Sequence, residues 1–126
     1  MTDRKAFHLL VVDDNAPFRQ SLDRLLTGMG YTVYTAANGF EALGLLQSEE
    51  IHLVFADVKM PGMTGVELLK KIKQDHQRVD VILMTVSSEL ILEADALDLQ
   101  ASGYLIKPLK RHEITEVLQR FDRQCS

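Results

Sequence analysis

Five side chains able to do chemistry follow directly after predicted strands of this 126-residue chain. Asp13 and Asp14 come after the first strand, and Asp57 comes after the third. Thr85 follows the fourth strand and Lys107 follows the fifth. Because ligands bind outside the carboxyl ends of the strands in open α/β sheets, we expect these side chains to form one site at that edge.

Three clustered carboxylates repel one another, and burial increases the cost. Either one of them takes up a proton or a cation sits among them. A hard divalent cation suits oxygen ligands, and Mg²⁺ is held by one or two carboxylates together with waters and a phosphate. With Lys107 as a fixed positive charge, such a site can neutralise an incoming phosphoryl group. Asp57 could then act as a covalent nucleophile, and Thr85 could donate a hydrogen bond to a phosphoryl oxygen.

The strands that must position these side chains are short apolar runs rich in β-branched or aromatic residues. They are Leu9–Val12, Thr32–Tyr34, Leu53–Ala56, Val81–Met84 and Tyr104–Ile106. The first, third and fourth runs have almost no polar alternation, which is typical of parallel strands buried on both faces.

Helical patterns fill the gaps between these runs. Apolar residues at helical spacing predict a first helix that ends near Gly28, and Thr64 with Glu67 forms a capping box for the third. The patterns over 88–100 and 114–121 predict the last two helices. The alternation therefore predicts an α/β fold, (βα)5, with a doubly wound five-stranded parallel sheet.

Composition favours one domain over residues 1–126 and excludes several classes of protein. The net charge of −4 argues against direct nucleic-acid binding, which needs a basic patch. The single cysteine gives no internal disulfide, and no apolar run reaches the ~18 residues of a membrane span. A cytoplasmic location is the expectation.

The chain resembles the receiver domain of bacterial two-component response regulators from about His8 to Phe121. The resemblance is carried by VVDD at 11–14, DVKMPGMTG at 57–65, MT at 84–85 and YLIKP at 104–108. It implies a flavodoxin-like sheet with strand order 2-1-3-4-5.

The resemblance also implies a role for each site residue. Asp57 would accept a phosphoryl group from a phosphohistidine on a sensor histidine kinase or phosphotransfer protein, in a Mg²⁺-dependent reaction that makes an aspartyl phosphate. Asp14, Asp57 and the backbone carbonyl of Lys59 would contact Mg²⁺ directly, and Asp13 would act through water.

In the same family pattern, Lys107 would pair with the phosphoryl group, and its bond to Pro108 would be cis. Thr85 and Tyr104 would form a switch pair, in which the Tyr104 ring turns inward as Thr85 moves toward the phosphoryl group. The chain would be a phosphoacceptor switch rather than an enzyme, because it would catalyse only its own phosphorylation and dephosphorylation.

The predicted fourth helix carries two apolar stripes on nearly opposite faces. Their members are Leu90, Ala94, Leu97 and Ala101 on one side and Leu92, Ala96 and Leu99 on the other. One interpretation is looser packing with exposed leucines. The sharper hypothesis is a homodimer or partner surface made of helix four, strand five and helix five, which phosphorylation would switch. The chain could be a stand-alone receiver or part of a longer regulator, and in the second case an output domain would lie beyond Ser126.

Three positions depart from the family pattern. Val86 stands where Ala or Gly is usual, and we expect its methyl groups to slow the access of small phosphodonors or water. Lys59 lies at a position that tunes phosphoryl lifetime, although a solvated surface lysine explains it equally well. Gln100 stands where Gly is common at a helix end, and we expect it to resist the left-handed conformation used there.

Other functions remain as alternatives. A metal-dependent phosphohydrolase with an aspartate nucleophile usually carries a general acid two residues later, where this chain has Lys59, and it needs length for a substrate cap. A pseudo-receiver that only binds partners would not need the full set of site residues. A flavin-binding module of the same topology would need a phosphate-binding loop after the first strand.

Overall fold

Strands and helices alternate along the residues that the computed structural model describes, which are 4–86 and 100–122. The strands are β1 His8–Val12, β2 Thr32–Ala36, β3 Leu53–Asp57, β4 Asp80–Thr85 and β5 Gly103–Ile106. The helices are α1 Ala16–Gly28, α2 Gly39–Ser48, α3 Gly65–Asp75 and α4 Arg111–Phe121, preceded by a 3₁₀ turn at Arg4–Ala6. Nearly all of the predicted helix over 88–100, with six of the seven residues of its apolar stripes, lies outside the described residues.

The five strands form one parallel sheet in the order β2-β1-β3-β4-β5, which confirms the predicted α/β fold and strand order. The connection from β1 runs outward to β2, and the chain then returns to place β3 on the other side of β1. This reversal makes the β1–β3 boundary the crevice in which such sheets bind ligands.

Both faces of the sheet are covered, as the uninterrupted apolar runs predict. Leu10 and Val12 of β1 pack in a core with residues of α2 and α3, whereas Leu9 and Val11 pack in a second core with residues of α1 and α4. Side chains alternate between the faces of a strand, so each strand end is held from two sides. None of the helices in the described ranges has the length and apolar character needed to cross a membrane.

Side chains fix where the helices begin. Asn15 accepts a hydrogen bond from the backbone amide of Phe18 and caps α1. The predicted capping box of Thr64 and Glu67 is present at the start of α3, with both hydrogen bonds at 3.1 Å. These caps satisfy amides that would otherwise lack partners, and they set the lengths of the loops at the carboxyl edge of the sheet.

The expectation for Gln100 is wrong. Its φ of 62° lies in the left-handed region that a residue other than glycine was expected to resist. The local cost is about 1–2 kcal/mol, and the chain directly after it is strongly anchored. Ser102 donates its backbone amide to Val81 and its hydroxyl to Asp80, which fixes the entry into β5.

Candidate functional site

Three carboxylates meet at the β1–β3 crevice. Val12 of β1 is paired with Ala56 of β3, so the residues that follow, Asp13 and Asp57, lie side by side. Together with Asp14 they offer carboxylate oxygens that all lie within 4.8 Å of one another. Asp13 is fully buried, the Asp57 side chain is 14% exposed, and Asp14 is exposed. The site is thus closed at the sheet and open to solvent on the side of Asp14.

The ammonium of Lys107 lies against two of these carboxylates. Its Nζ is 2.7 Å from Asp13 Oδ2 and 3.4 Å from Asp57 Oδ2, and its side chain is 14% exposed. The Lys107 backbone amide donates to the Thr85 carbonyl at 2.7 Å, which continues the pairing of β5 with β4 into the site. The Lys107–Pro108 bond is cis, the form that the family resemblance implies.

Asp13 is the most firmly held of the three carboxylates. Its Oδ1 accepts the backbone amide of Asn15 at 2.9 Å, while Lys107 occupies Oδ2. Arg19 donates from Nη1 to the Asp13 carbonyl oxygen at 2.6 Å and ties the loop to α1. A buried carboxylate needs such partners, because an unpaired buried charge is costly.

The surroundings of Asp57 disfavour its charged form. Burial raises the pKa of its carboxyl above the ordinary value, and the nearby charge of Asp13 raises that pKa further. The Lys107 ammonium and a hydrogen bond from the Lys59 backbone amide lower the pKa without cancelling those effects. The site therefore favours whatever neutralises Asp57, whether a proton, a cation or a covalent bond to its oxygen.

The donor set fits a hard divalent cation. All the clustered ligand atoms are carboxylate oxygens, with one exposed residue through which water and an ion can enter. Mg²⁺ prefers this combination of few carboxylates and retained water, and such a cation would offset both the burial and the repulsion by Asp13 that raise the pKa of Asp57.

The remaining predicted residues surround this cluster. Thr85 is 1% exposed at the end of β4, next to the strand that ends in Asp57. Tyr104 is partly buried and pairs with Leu83, so it lies on the same face of the sheet as Thr85. Lys59 is exposed and offers its backbone to Asp57. The three aspartates are within reach of one another and Lys107 contacts Asp13 and Asp57, whereas Tyr104 lies within β5, two strands from the strand that ends in Asp57.

One contact at the site was not predicted from the sequence. The Lys107 Nζ lies over the ring of Phe18 at 4.0 Å from its centroid. Phe18 is one of the apolar residues whose spacing predicts the first helix, and it packs, partly buried, against the core beneath that helix. The available signal is the place of Phe18 in the first turn of α1, which begins at Ala16 directly after the acidic residues and the capping Asn15.

Comparisons with known proteins agree with this geometry. The profile of the response regulator receiver domain family matches residues 9–119. The chain is 41% identical over 110 residues to the DNA-binding transcriptional regulator NtrC of Salmonella typhimurium, an alignment that covers 87% of this chain and 24% of NtrC. It is 34% identical over 113 residues to sporulation initiation phosphotransferase F of Bacillus subtilis, covering 90% of this chain and 91% of that protein.

The fold also matches solved structures. The response regulator protein TrrA of Thermotoga maritima, solved in complex with Mg²⁺–BeF, superimposes with a TM-score of 0.83 at 31% identity. The match covers 91% of this chain and 98% of TrrA. The NtrC relatives are much longer, and this chain spans about a quarter of their length.

Proposed function

The chain belongs to the response regulator receiver domain family, and on that premise we propose that Asp57 is its phosphoacceptor. The observation that carries the proposal is the meeting of three carboxylates and one ammonium at the β1–β3 crevice. Within that cluster Asp57 is the carboxylate best suited to react. Both oxygens of Asp13 are occupied by hydrogen bonds, one of them the 2.7 Å bond from Lys107. Asp57 has a longer 3.4 Å contact with Lys107 and a hydrogen bond from the Lys59 backbone amide, and its side chain is 14% exposed.

We propose that Mg²⁺ is the cofactor of this site. Asp14, Asp57 and the Lys59 backbone carbonyl would hold it directly, with Asp13 acting through water. When bound, Mg²⁺ neutralises negative charge on the carboxylates and on the phosphoryl oxygens. The clustered oxygens and the raised pKa of Asp57 support this assignment.

In the proposed reaction an oxygen of the Asp57 carboxylate attacks the phosphorus of a phosphohistidine. A P–O bond forms as the P–N bond breaks, and the departing imidazole takes up a proton. The Lys107 ammonium, 3.4 Å from Asp57, would pair with the phosphoryl oxygens, and Thr85 would donate its hydroxyl to one of them. Attack of water on phosphorus would later release inorganic phosphate and restore the carboxylate.

Mass spectrometry of the intact protein tests this proposal. Incubation with acetyl phosphate and Mg²⁺ should add the mass of one phosphoryl group, and EDTA should prevent the addition. The adduct should map to the peptide that contains Asp57 and should be removed by hydroxylamine, which cleaves acyl phosphates. Labelling of a histidine or serine instead, or equal labelling without metal, would contradict it.

Two of the alternative functions, the pseudo-receiver and the phosphohydrolase, give different results in the same assay. A pseudo-receiver would take up no phosphoryl group, and the retention of Asp57, Lys107 and Thr85 argues against it. A phosphohydrolase would release phosphate from phosphomonoesters over many turnovers. The exposed Lys59 offers no general acid at the position where that class needs one. We therefore propose a switch that turns over only its own phosphoryl group.

We further propose that the phosphodonor is a sensor histidine kinase or phosphotransfer protein, and that Thr85 and Tyr104 transmit the change. Thr85 and Tyr104 lie on the same face of the sheet, which supports their action as a switch pair. The length of the NtrC relatives is consistent with a receiver joined to an output domain, whereas the near-complete match to sporulation initiation phosphotransferase F is consistent with a stand-alone receiver. Dimerisation through the predicted helix over 88–100, β5 and α4, the cytoplasmic location and the lack of nucleic-acid binding stay predictions.

Val86 provides a test of access to this site. Its side chain is 73% exposed and lines, with Lys107, a cavity of about 550 Å³. We expect Val86→Ala to speed both phosphorylation by acetyl phosphate and dephosphorylation by roughly twofold or more, because less bulk stands beside Lys107 and next to Thr85. Val86→Ile should shift both rates the other way. Unchanged rates in both variants would show that this side chain does not limit access.

A further inference from the structure

The Lys107 ammonium is enclosed by neighbours of two kinds. On one side lie the carboxylates of Asp13 and Asp57, at 2.7 and 3.4 Å. On the other side lies the ring of Phe18, whose centroid is 4.0 Å from Nζ. A cation within about 6 Å of a ring centroid is attracted by the negative face of the aromatic system. The attraction strengthens when water is excluded, and only 14% of the Lys107 side chain is exposed.

We propose that Phe18 is a positioning residue that holds the Lys107 ammonium beside Asp57 during phosphoryl transfer, an inference that rests on the proposed function. The carboxylate partners of Lys107 change in the reaction, since a divalent cation competes for them and Asp57 becomes an acyl phosphate. The ring does not change at any stage. It carries no proton to exchange and no formal charge, so it orients the ammonium without neutralising it.

The ring is itself held in place by α1. The Phe18 backbone amide donates to the Asn15 side chain at 3.1 Å within the helix cap. Its side chain packs against the core that contains Leu22 and Leu26. Farther from the acidic cluster, the ring forms part of the wall of the cavity that Val86 also lines. Lys107 lines the same cavity, so without the ring its flexible side chain could turn farther into that apolar space.

The experiment compares variants that keep the ring with variants that keep only its apolar bulk. Phe18→Tyr and Phe18→Trp preserve an aromatic face, whereas Phe18→Leu and Phe18→Met do not. The phosphodonor is acetyl phosphate, because a small donor removes any contribution of Phe18 to the docking of a protein partner. We expect roughly three- to tenfold slower phosphoryl uptake in the Leu and Met variants and near wild-type rates in the Tyr and Trp variants.

A spectroscopic measurement reports on the contact without any phosphorylation. In protein labelled with ¹⁵N-lysine, the ammonium protons of Lys107 should be displaced upfield by the ring, and Lys107→Arg assigns the signal by its loss. The displacement should persist in Phe18→Tyr and disappear in Phe18→Leu. Melting curves show whether each variant is folded, and the Met variant replaces the Leu variant if the latter is not.

The outcomes separate this inference from the proposed function. If wild type takes up no phosphoryl group, the proposed function fails and the positioning role fails with it. If wild type is labelled and the Leu and Met variants react as fast as the Tyr and Trp variants, only the positioning role is overturned. An unshifted Lys107 ammonium signal in wild type would also overturn it.

Discussion

Replacement of Asp57 by asparagine is expected to abolish phosphoryl uptake and, in EDTA, to raise the thermal stability of the protein. An amide of nearly the same shape cannot form the acyl phosphate. It also removes a charge that burial and Asp13 make unfavourable in the fold. Lys107 keeps its shorter contact, the 2.7 Å pair with Asp13, so its ammonium retains a partner. We expect Tm at neutral pH to rise by roughly a few degrees.

The pH dependence of this rise in Tm follows from the direction in which the pKa of Asp57 is shifted. Because the pKa of Asp57 is raised in the folded protein above the ordinary 3.8, the fold favours the protonated carboxyl. The stability due to that preference is complete below the ordinary pKa and is lost as the pH rises through the raised pKa. The difference in Tm between Asp57→Asn and wild type should therefore be near zero at acid pH and reach a plateau toward neutrality.

Asp80→Asn is the matched control for this experiment. Asp80 begins β4 at the opposite edge of the sheet, where its carboxylate accepts a hydrogen bond from Ser102 at 2.9 Å. This variant should keep full phosphoryl uptake and gain no stability. Added Mg²⁺ should raise the Tm of wild type more than that of Asp57→Asn, since the cation would lose one ligand. Phosphoryl uptake by Asp57→Asn, or a lower Tm than wild type in EDTA at neutral pH, would contradict the proposed role.

The positions of the acidic residues could be predicted from the sequence because strand ends are visible there. In β1 and β3 an uninterrupted apolar run stops at an aspartate, and a parallel sheet brings such ends to one edge. Helix caps are equally local, so the box of Thr64 and Glu67 could be predicted from four residues.

Contacts between distant side chains could not be predicted in the same way. Lys107 lies closer to Asp13 than to Asp57. This difference depends on side-chain conformations, which a residue pattern does not encode. Phe18 fits the apolar stripe of α1 whether or not its ring meets a cation. At Gln100 a local preference gave the wrong answer, because the anchoring of Ser102 outweighs a small backbone cost. Tertiary energies decided each of these cases.

Gly65 is the position at which we expect an added methyl group to lower the stability of the fold most strongly. It is the first residue of α3, and its amide donates to the Val58 carbonyl at 2.9 Å, which pulls the helix against the end of β3. A Cβ at this position would overlap the Asp57 carbonyl oxygen and lie 2.8 Å from its carbon and 2.9 Å from the Val58 Cα. These atoms belong to the backbone of Asp57 and Val58, so relief requires that the helix or Asp57 moves.

We therefore expect Gly65→Ala to lower the free energy of unfolding by about 3 kcal/mol and to slow phosphoryl uptake. Gly44→Ala is the control, because Gly44 lies inside α2 and a Cβ added there would meet no neighbouring atom within 4 Å. That variant should gain roughly 0.5–1 kcal/mol from helix propensity. Urea unfolding of both variants measures the contrast. Equal effects would mean that general helix propensity, rather than the close approach of α3 to Asp57, governs Gly65.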